Sequence, residues 1–149
     1  MRNSLKTVLY FLMIFHILSC KQNSQEEKII EKSKINIEIG DTKLTALLEN
    51  NETARDFLKL LPITITMKEL YESEKYTELP VKLSRVEVTR QGYEIGDIGY
   101  WAPGNCLVIY YKQTGEIING LQIIGKIHDN IDVFEKYEGT VIVKISKSN

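Results

Sequence analysis

The chain of 149 residues is poor in the side chains that carry most metal and nucleophile chemistry, with two cysteines, two histidines and one tryptophan. His16 lies in an N-terminal apolar segment, so His128 is the only histidine left for a folded domain. His128 and Cys106 are 22 residues apart, whereas metal sites need clustered ligands. No glycine-rich run leads into Lys-Ser or Lys-Thr at a helix start, as a phosphate-binding loop requires. We therefore expect no metal and no cofactor.

The first twenty residues have the pattern of an export signal. Arg2 and Lys6 precede an apolar run of eleven residues, Val8–Leu18, which is too short to span a bilayer. The run ends in ILSC, and an aliphatic residue placed just before a cysteine in this way resembles the bacterial lipoprotein signal. This resemblance implies that residues 1–19 are removed and that Cys20 is lipidated. The alternative is an ordinary secretory signal that contains a chance cysteine.

Residues 20–34 are predicted to form the lipidated cysteine and a flexible tether, because their polar composition cannot offset the entropy cost of ordering. Lys21 follows the cysteine, and in enterobacterial lipoproteins the absence of aspartate there favours the outer membrane. Loss of Arg2 and Lys6 takes the 19 basic residues to 17 against 20 acidic ones, a net charge of −3. This charge argues against nucleic acid as a partner. With Cys20 lipidated, Cys106 has no cysteine to pair with and is expected to be an inert thiol.

The predicted domain, residues 35–149, opens with a hairpin and a helix. Apolar and polar residues alternate in INIEI and again in KLTALL, on either side of the turn residues Gly40 and Asp41. In NETARDFLKLLP the apolar residues share one helical face, Asn51 is a suitable N-cap, and Pro62 ends the helix.

The rest of the domain is dominated by short strands. ITITM, IGYW, CLVIYY, GLQIIGKIH and TVIVKISK all have strand composition. A short helical turn is predicted near 68–71, then an extended piece near 79–83 that Pro80 restricts to an edge or a bend. Short strands at close spacing with few helices predict a β-barrel or a sandwich.

Four stretches in this order resemble the bacterial cyclophilin-like domain family: NETARDFLKLLPITITM, LPVKL, GYEIGDIGYWAPGNCLVIYY and NGLQIIGKI. The resemblance covers about Ile35 to Ile145. It implies a mainly β fold, a closed cyclophilin-like β-barrel of about eight strands with one or two short helices. It implies an architecture rather than a reaction. Family members sometimes accompany flavodoxin-type redox proteins, so an accessory redox role is an alternative, although no segment resembles a flavin site.

The pattern of a catalytic prolyl isomerase is not matched. True cyclophilins carry phenylalanine, histidine and arginine in a row, and this chain has no such run. Of its arginines, only Arg85 and Arg90 could reach a pocket, because Arg2 lies in the leader and Arg55 on the polar side of the helix. We expect a non-catalytic protein, with peptidyl-prolyl cis-trans isomerase as the alternative.

The resemblance places a ligand pocket on the outer face of the barrel, beside loops. The candidate ligand-binding residues are Arg85, Tyr93, Tyr100, Trp101 and Tyr111. Tyrosine and tryptophan combine a large apolar body with a polar group, which suits recognition. Tyr100 and Trp101 face opposite sides of a strand, so one of them is a core residue. We therefore predict a lipid-anchored lipoprotein of the bacterial envelope whose domain binds a peptide, a protein or a small molecule.

Overall fold

The computed structural model describes residues 32–84 and 90–148, and within these ranges it contains eight strands, one α-helix and two 3-10 turns. The strands are β1 (Lys34–Ile39), β2 (Thr42–Leu48), β3 (Ile63–Leu70), β4 (Glu74–Glu78), β5 (Asp97–Trp101), β6 (Cys106–Tyr110), β7 (Leu121–Ile127) and β8 (Thr140–Lys147). The helix α1 is Glu52–Lys59, and the 3-10 turns are Ala102–Gly104 and Ile131–Lys136.

The strands form a closed antiparallel barrel in the order β1-β2-β7-β5-β6-β4-β3-β8, and pairing of β1 with β8 completes the circle. Alternation explains which residues fill it. Ile35, Ile37 and Ile39 are buried on β1, and Val143 on the paired strand β8 lies opposite Ile39. Each such aliphatic side chain contributes about 1.5–3 kcal/mol on burial. The predicted fold class is confirmed.

The helix forms where the sequence predicted it. The Asn51 side chain accepts a hydrogen bond from the Ala54 backbone N–H at 2.8 Å and donates one to the Ile123 carbonyl oxygen at 2.9 Å. The first bond caps the helix and the second ties it to β7, while Phe57 is buried in the core.

The predicted helical turn near 68–71 is wrong. β3 continues to Leu70 and forms a hairpin with β4, with Lys68 opposite Tyr76. Tyr71 and Glu72 have positive φ values of 54° and 52° in the connecting turn. The segment lacks visible alternation because a lysine, Lys75, occupies an inward position of β4 and is fully buried.

The predicted leader, residues 1–19, and Cys20 lie outside the described residues. The first strand begins at Lys34, one residue before the predicted start of the domain. Among residues 32–84 and 90–148, no helix is long and apolar enough to cross a membrane.

Candidate functional site

A cavity of about 490 Å³ opens on the outer face of the barrel, above β4 and β6. The paired residues Glu74 and Tyr110 lie on its floor, as do Tyr76 and Val108, which are paired two residues further along. These side chains face away from the barrel interior, because Lys75 between them points inward. Val108 and Tyr110 belong to a small apolar cluster that is separate from the main core.

Residues 114–118, in the segment that follows β6, form a wall of the cavity and are fixed by Tyr93. The Tyr93 ring stacks on Tyr110 with centroids 3.8 Å apart and planes 15° apart. Its hydroxyl is 2.6 Å from Thr114 Oγ1 and accepts a bond from the Thr114 backbone N–H at 3.2 Å. Gln91 and Ile118 pair through two backbone hydrogen bonds, at 2.9 and 3.3 Å. The wall is therefore held in place by the protein's own contacts.

Trp101 also lines the cavity and is 38% exposed. Its indole Nε1–H donates a hydrogen bond to the Asn119 carbonyl oxygen at 3.0 Å. The ring also packs against Gly104, where an added methyl group would overlap with two of its carbon atoms. The indole is thus held by a hydrogen bond on one edge and by close backbone contact.

The charged groups that line the cavity among the described residues are both acidic, Glu74 and Glu116. Burial raises the pKa of Glu74 to about 7, and the negative charges of Glu116 and Glu69 add to the effect. Burial also raises the pKa of the Tyr110 phenol well above its usual range. The cavity is therefore aromatic, partly desolvated and electrically negative when Glu74 is ionised.

A second polar cluster lies on the inward side of β4. The buried Lys75 ammonium group donates hydrogen bonds to the Glu69 carboxylate and to the Tyr137 carbonyl oxygen. The Tyr111 hydroxyl donates to the same carboxylate at 2.6 Å, and burial followed by this bond raises the pKa of Tyr111. These groups satisfy one another, which is the pattern of a structural network.

The structure separates the predicted ligand-binding residues. Trp101 lines the cavity, and Tyr93 supports it from behind. Tyr100 is buried in the core, where its hydroxyl donates to Asn105 Oδ1 at 2.9 Å, and Tyr111 belongs to the inward Lys75 cluster. Arg85 lies outside the described residues.

The sequence reasoning missed the two β4 residues of the floor, Glu74 and Tyr76. They are two positions apart, as residues on one face of a strand must be, but the segment was not predicted as a strand. Tyr110, which also lies on the floor, was not among the residues predicted for the site. The alternation of β6 places Tyr110 outward, and Tyr111, the residue after the strand, lies inward.

Cys106 lies at the cavity rim and has features of an unreactive thiol. Burial raises its pKa, the charges of Glu78 and Glu74 add to that rise, and its Sγ donates a hydrogen bond to the Gly104 carbonyl oxygen at 3.1 Å. Raising the pKa reduces the thiolate fraction that attacks electrophiles. Within the part of the chain that the structure describes, no group of three histidine, cysteine or carboxylate residues could hold a metal ion.

A family model described as the Cyclophilin-like family matches residues 37–146, which include all of β2 to β7 and most of β8, with the second half of β1. The chain belongs to the Cyclophilin-like family. This membership confirms the resemblance predicted from the sequence. It places Trp101 and the floor of the cavity within the matched region.

One similar solved structure is the solution structure of the hypothetical protein AF2241 from Archaeoglobus fulgidus. It has 20% sequence identity and a TM-score of 0.62, and the match covers 78% of this chain and 95% of that one. At this identity the similarity supports the fold alone. None of the curated proteins compared with the chain matches it.

Proposed function

We propose that this protein is a lipid-anchored lipoprotein of the bacterial cell envelope whose cyclophilin-like barrel is a non-catalytic binding module. The observation that carries the binding role is the cavity beside Trp101. Its volume of about 490 Å³ lies in the range of small-molecule sites, which is about 300–1,000 Å³. Aromatic side chains with a few polar groups line it, as is typical of such sites.

The wall and the indole are held by internal hydrogen bonds, so the cavity does not have to be assembled when a ligand arrives. Less ordering is then required on binding, and affinity improves accordingly. This preorganisation favours a dedicated binding site over an incidental surface depression.

Binding is measured through Trp101, because it is the only tryptophan in the chain and its emission reports on this cavity alone. The mature protein in detergent is titrated with three probes that share a tert-butyl body: 3,3-dimethylbutylammonium, 3,3-dimethylbutan-1-ol and 3,3-dimethylbutanoate. A peptide with an Xaa-Pro bond is the fourth probe, and it is also followed in an isomerisation assay. We expect a saturable emission change with at least one probe and no isomerisation above background.

Val108→Phe fills the cavity floor and is expected to abolish the response. Ile142→Phe adds the same bulk at an exposed position of β8 and is the matched control. Circular dichroism verifies that both variants are folded. If none of the four probes changes the wild-type emission, or if both variants respond alike, the binding role is wrong. Turnover of the Xaa-Pro peptide would replace it with the isomerase alternative.

The lipid anchor is proposed from the signal pattern that ends at Cys20. Mass spectrometry of the membrane fraction is expected to show an N-terminal Cys20 that carries acyl chains. Several chains together give stable anchoring, since each buried methylene contributes about 0.8 kcal/mol. Cys20→Ser is expected to prevent the modification. An unmodified Cys20 in a mature protein that is free of the membrane would contradict the proposal.

A further inference from the structure

The electrostatics of the cavity restrict the charge of its ligand. Among the described residues, its charged side chains are the carboxylates Glu74 and Glu116, with no lysine or arginine beside them. Among the hydrogen bonds and ion pairs of those residues, none involves the Glu74 carboxylate. An anionic ligand would add a third negative charge to a partly desolvated site, which is unfavourable.

The aromatic side chains point to the same ligand charge. Tyr76, Trp101 and Tyr110 all line the cavity. The face of an aromatic ring is electrically negative, so a ring whose face contacts a cation stabilises it. An apolar neutral ligand would contact the rings but would leave the carboxylates without a counter-charge.

Tyr110 provides a third, independent observation. Its side chain lines the cavity although the residue is only 1% exposed. Its hydroxyl has no hydrogen-bond partner among residues 32–84 and 90–148. No fully buried side-chain oxygen or nitrogen of the described residues lacks a partner, so the phenol oxygen is accessible, and Tyr110 lines the cavity. An ammonium N–H in the cavity would supply a donor for this oxygen.

We infer that the cavity binds a small organic cation, an alkylammonium group with an apolar substituent, between Glu74, Tyr110 and the Trp101 indole. This inference rests on the proposed binding role of the same cavity. Glu74 supplies the counter-charge, the Tyr110 oxygen accepts a hydrogen bond from the ammonium group, and the apolar substituent packs on Trp101. A free small molecule fits better than a surface, because residues 114–118 wall the cavity on one side.

The main rival is a neutral ligand that accepts a hydrogen bond from protonated Glu74. The two differ in pH dependence, because a cation favours the ionised carboxylate and the neutral ligand favours the acid. The titratable groups near Glu74 come from four elements, and they are Glu69 on β3, Tyr71 in the turn after it, Tyr76 on the same strand, Cys106 and Tyr110 on β6, and Glu116 on the wall. Glu69 is already paired with Lys75 on the other side of the sheet, and burial raises the pKa of the Tyr110 phenol well above the pH range used.

The experiment compares 3,3-dimethylbutylammonium with 3,3-dimethylbutan-1-ol, which have the same body and differ in the head group. Affinities are measured by Trp101 emission and by calorimetry at low salt. We expect the cation to bind at least about ten-fold more tightly than the alcohol, and the carboxylate analogue not to bind. Glu74→Gln is expected to lower the affinity for the cation about ten-fold and to leave the affinity for the alcohol unchanged.

Glu38→Gln is the matched control. It removes the same charge from β1, which lies across the barrel from β6, and is expected to change neither affinity. The affinity of the wild type for the cation is expected to rise about ten-fold from pH 5.5 to 8.5, with a midpoint near 7. The Glu74→Gln variant should show no such rise.

Three results would overturn the inference: tighter binding of the alcohol than of the cation, cation affinity that falls as the pH rises, or equal effects of the two substitutions. Tighter binding of N-acetyl-lysine amide than of the alkylammonium probe would instead assign the site to a peptide side chain and would overturn the small-molecule assignment. Binding of the alcohol alone would refute the cation and leave the binding role intact. If no probe changes the Trp101 emission or gives a calorimetric signal, the proposed binding role is wrong as well.

Discussion

Substitution of the buried Lys75 tests how much its ion pair and hydrogen bonds contribute to the stability of the barrel. Its ammonium group is fully buried, donates to the Glu69 carboxylate and to the Tyr137 carbonyl oxygen, and lies 5.7 Å from the centroid of the Tyr111 ring. Lys75→Met keeps the length and most of the volume of the side chain and removes the charge. The substitution therefore leaves the Glu69 carboxylate without its cation and the Tyr137 carbonyl without its donor.

The expected loss follows from these contacts. Removing one partner of a fully buried ion pair costs about 3–5 kcal/mol. Here Glu69 is still 21% exposed and still accepts hydrogen bonds from the Tyr111 hydroxyl and from the Leu70 backbone N–H. We therefore expect Lys75→Met to lower the free energy of unfolding by about 2–3 kcal/mol.

The double variant Lys75→Met/Glu69→Gln also removes the stranded charge, and a glutamine can still accept the Tyr111 hydrogen bond. We expect it to recover at least half of the loss. Urea unfolding followed by circular dichroism measures all of these free energies, and Lys68→Met, at an exposed position of β3, is the control. A loss below about 1 kcal/mol for Lys75→Met, or a double variant less stable than the single one, would refute the reasoning.

Three further outcomes are expected. Because burial raises the pKa of Glu74 to about 7 from its ordinary 4.5, the stability due to its proton is present below pH 4.5 and is lost as the pH rises through 7. In urea unfolding, the free energy of unfolding of Glu74→Gln should therefore equal that of the wild type at pH 4.5. At pH 8.5 it should be higher by about 1–2 kcal/mol, a value reduced because Glu74 is partly exposed. The same difference in free energy at both pH values would contradict this. Gly104→Ala should displace the Trp101 ring and shift its emission to longer wavelength, whereas Gly92→Ala, where the methyl group meets only ordinary contacts, should not. Cys106 should react with iodoacetamide at pH 8 at least about ten-fold more slowly than glutathione, and a rate equal to that of glutathione would refute its inert character.

The parts of the fold that follow local patterns could be predicted from the sequence. The β1–β2 hairpin alternates cleanly around a Gly-Asp turn, and α1 has its cap and its stop within a few residues. The β3–β4 hairpin could not be found in this way, because the inward position of β4 is a lysine whose burial depends on Glu69, in the neighbouring strand. A pattern based on hydrophobicity has no means of recognising an inward charge that is neutralised by another strand.

Because β4 was not predicted, part of the candidate site was also missed. Glu74 and Tyr76 were not considered because β4 was not predicted, although Trp101 was named as one of two alternatives. The choice between Tyr100 and Trp101 depends on which face of β5 the barrel encloses. That is set by pairing with β6 and β7, far away in sequence, and no local feature of IGYW determines it.

Closure of the barrel also limits how a partner can be recognised. Each of the eight described strands has two hydrogen-bonded neighbours, although some of these pairings, such as β2 with β7 and β3 with β4, extend over only three residues. Among the described strands, an extended peptide therefore finds no free edge that runs the full length of a strand, and recognition through main-chain hydrogen bonds, as in domains with open sheets, is restricted to short stretches. Selectivity must come from the side chains on the outer face and from the connecting segments. Relatives with the same barrel could thus exchange ligands by changing a few outward residues while the barrel itself stays constant.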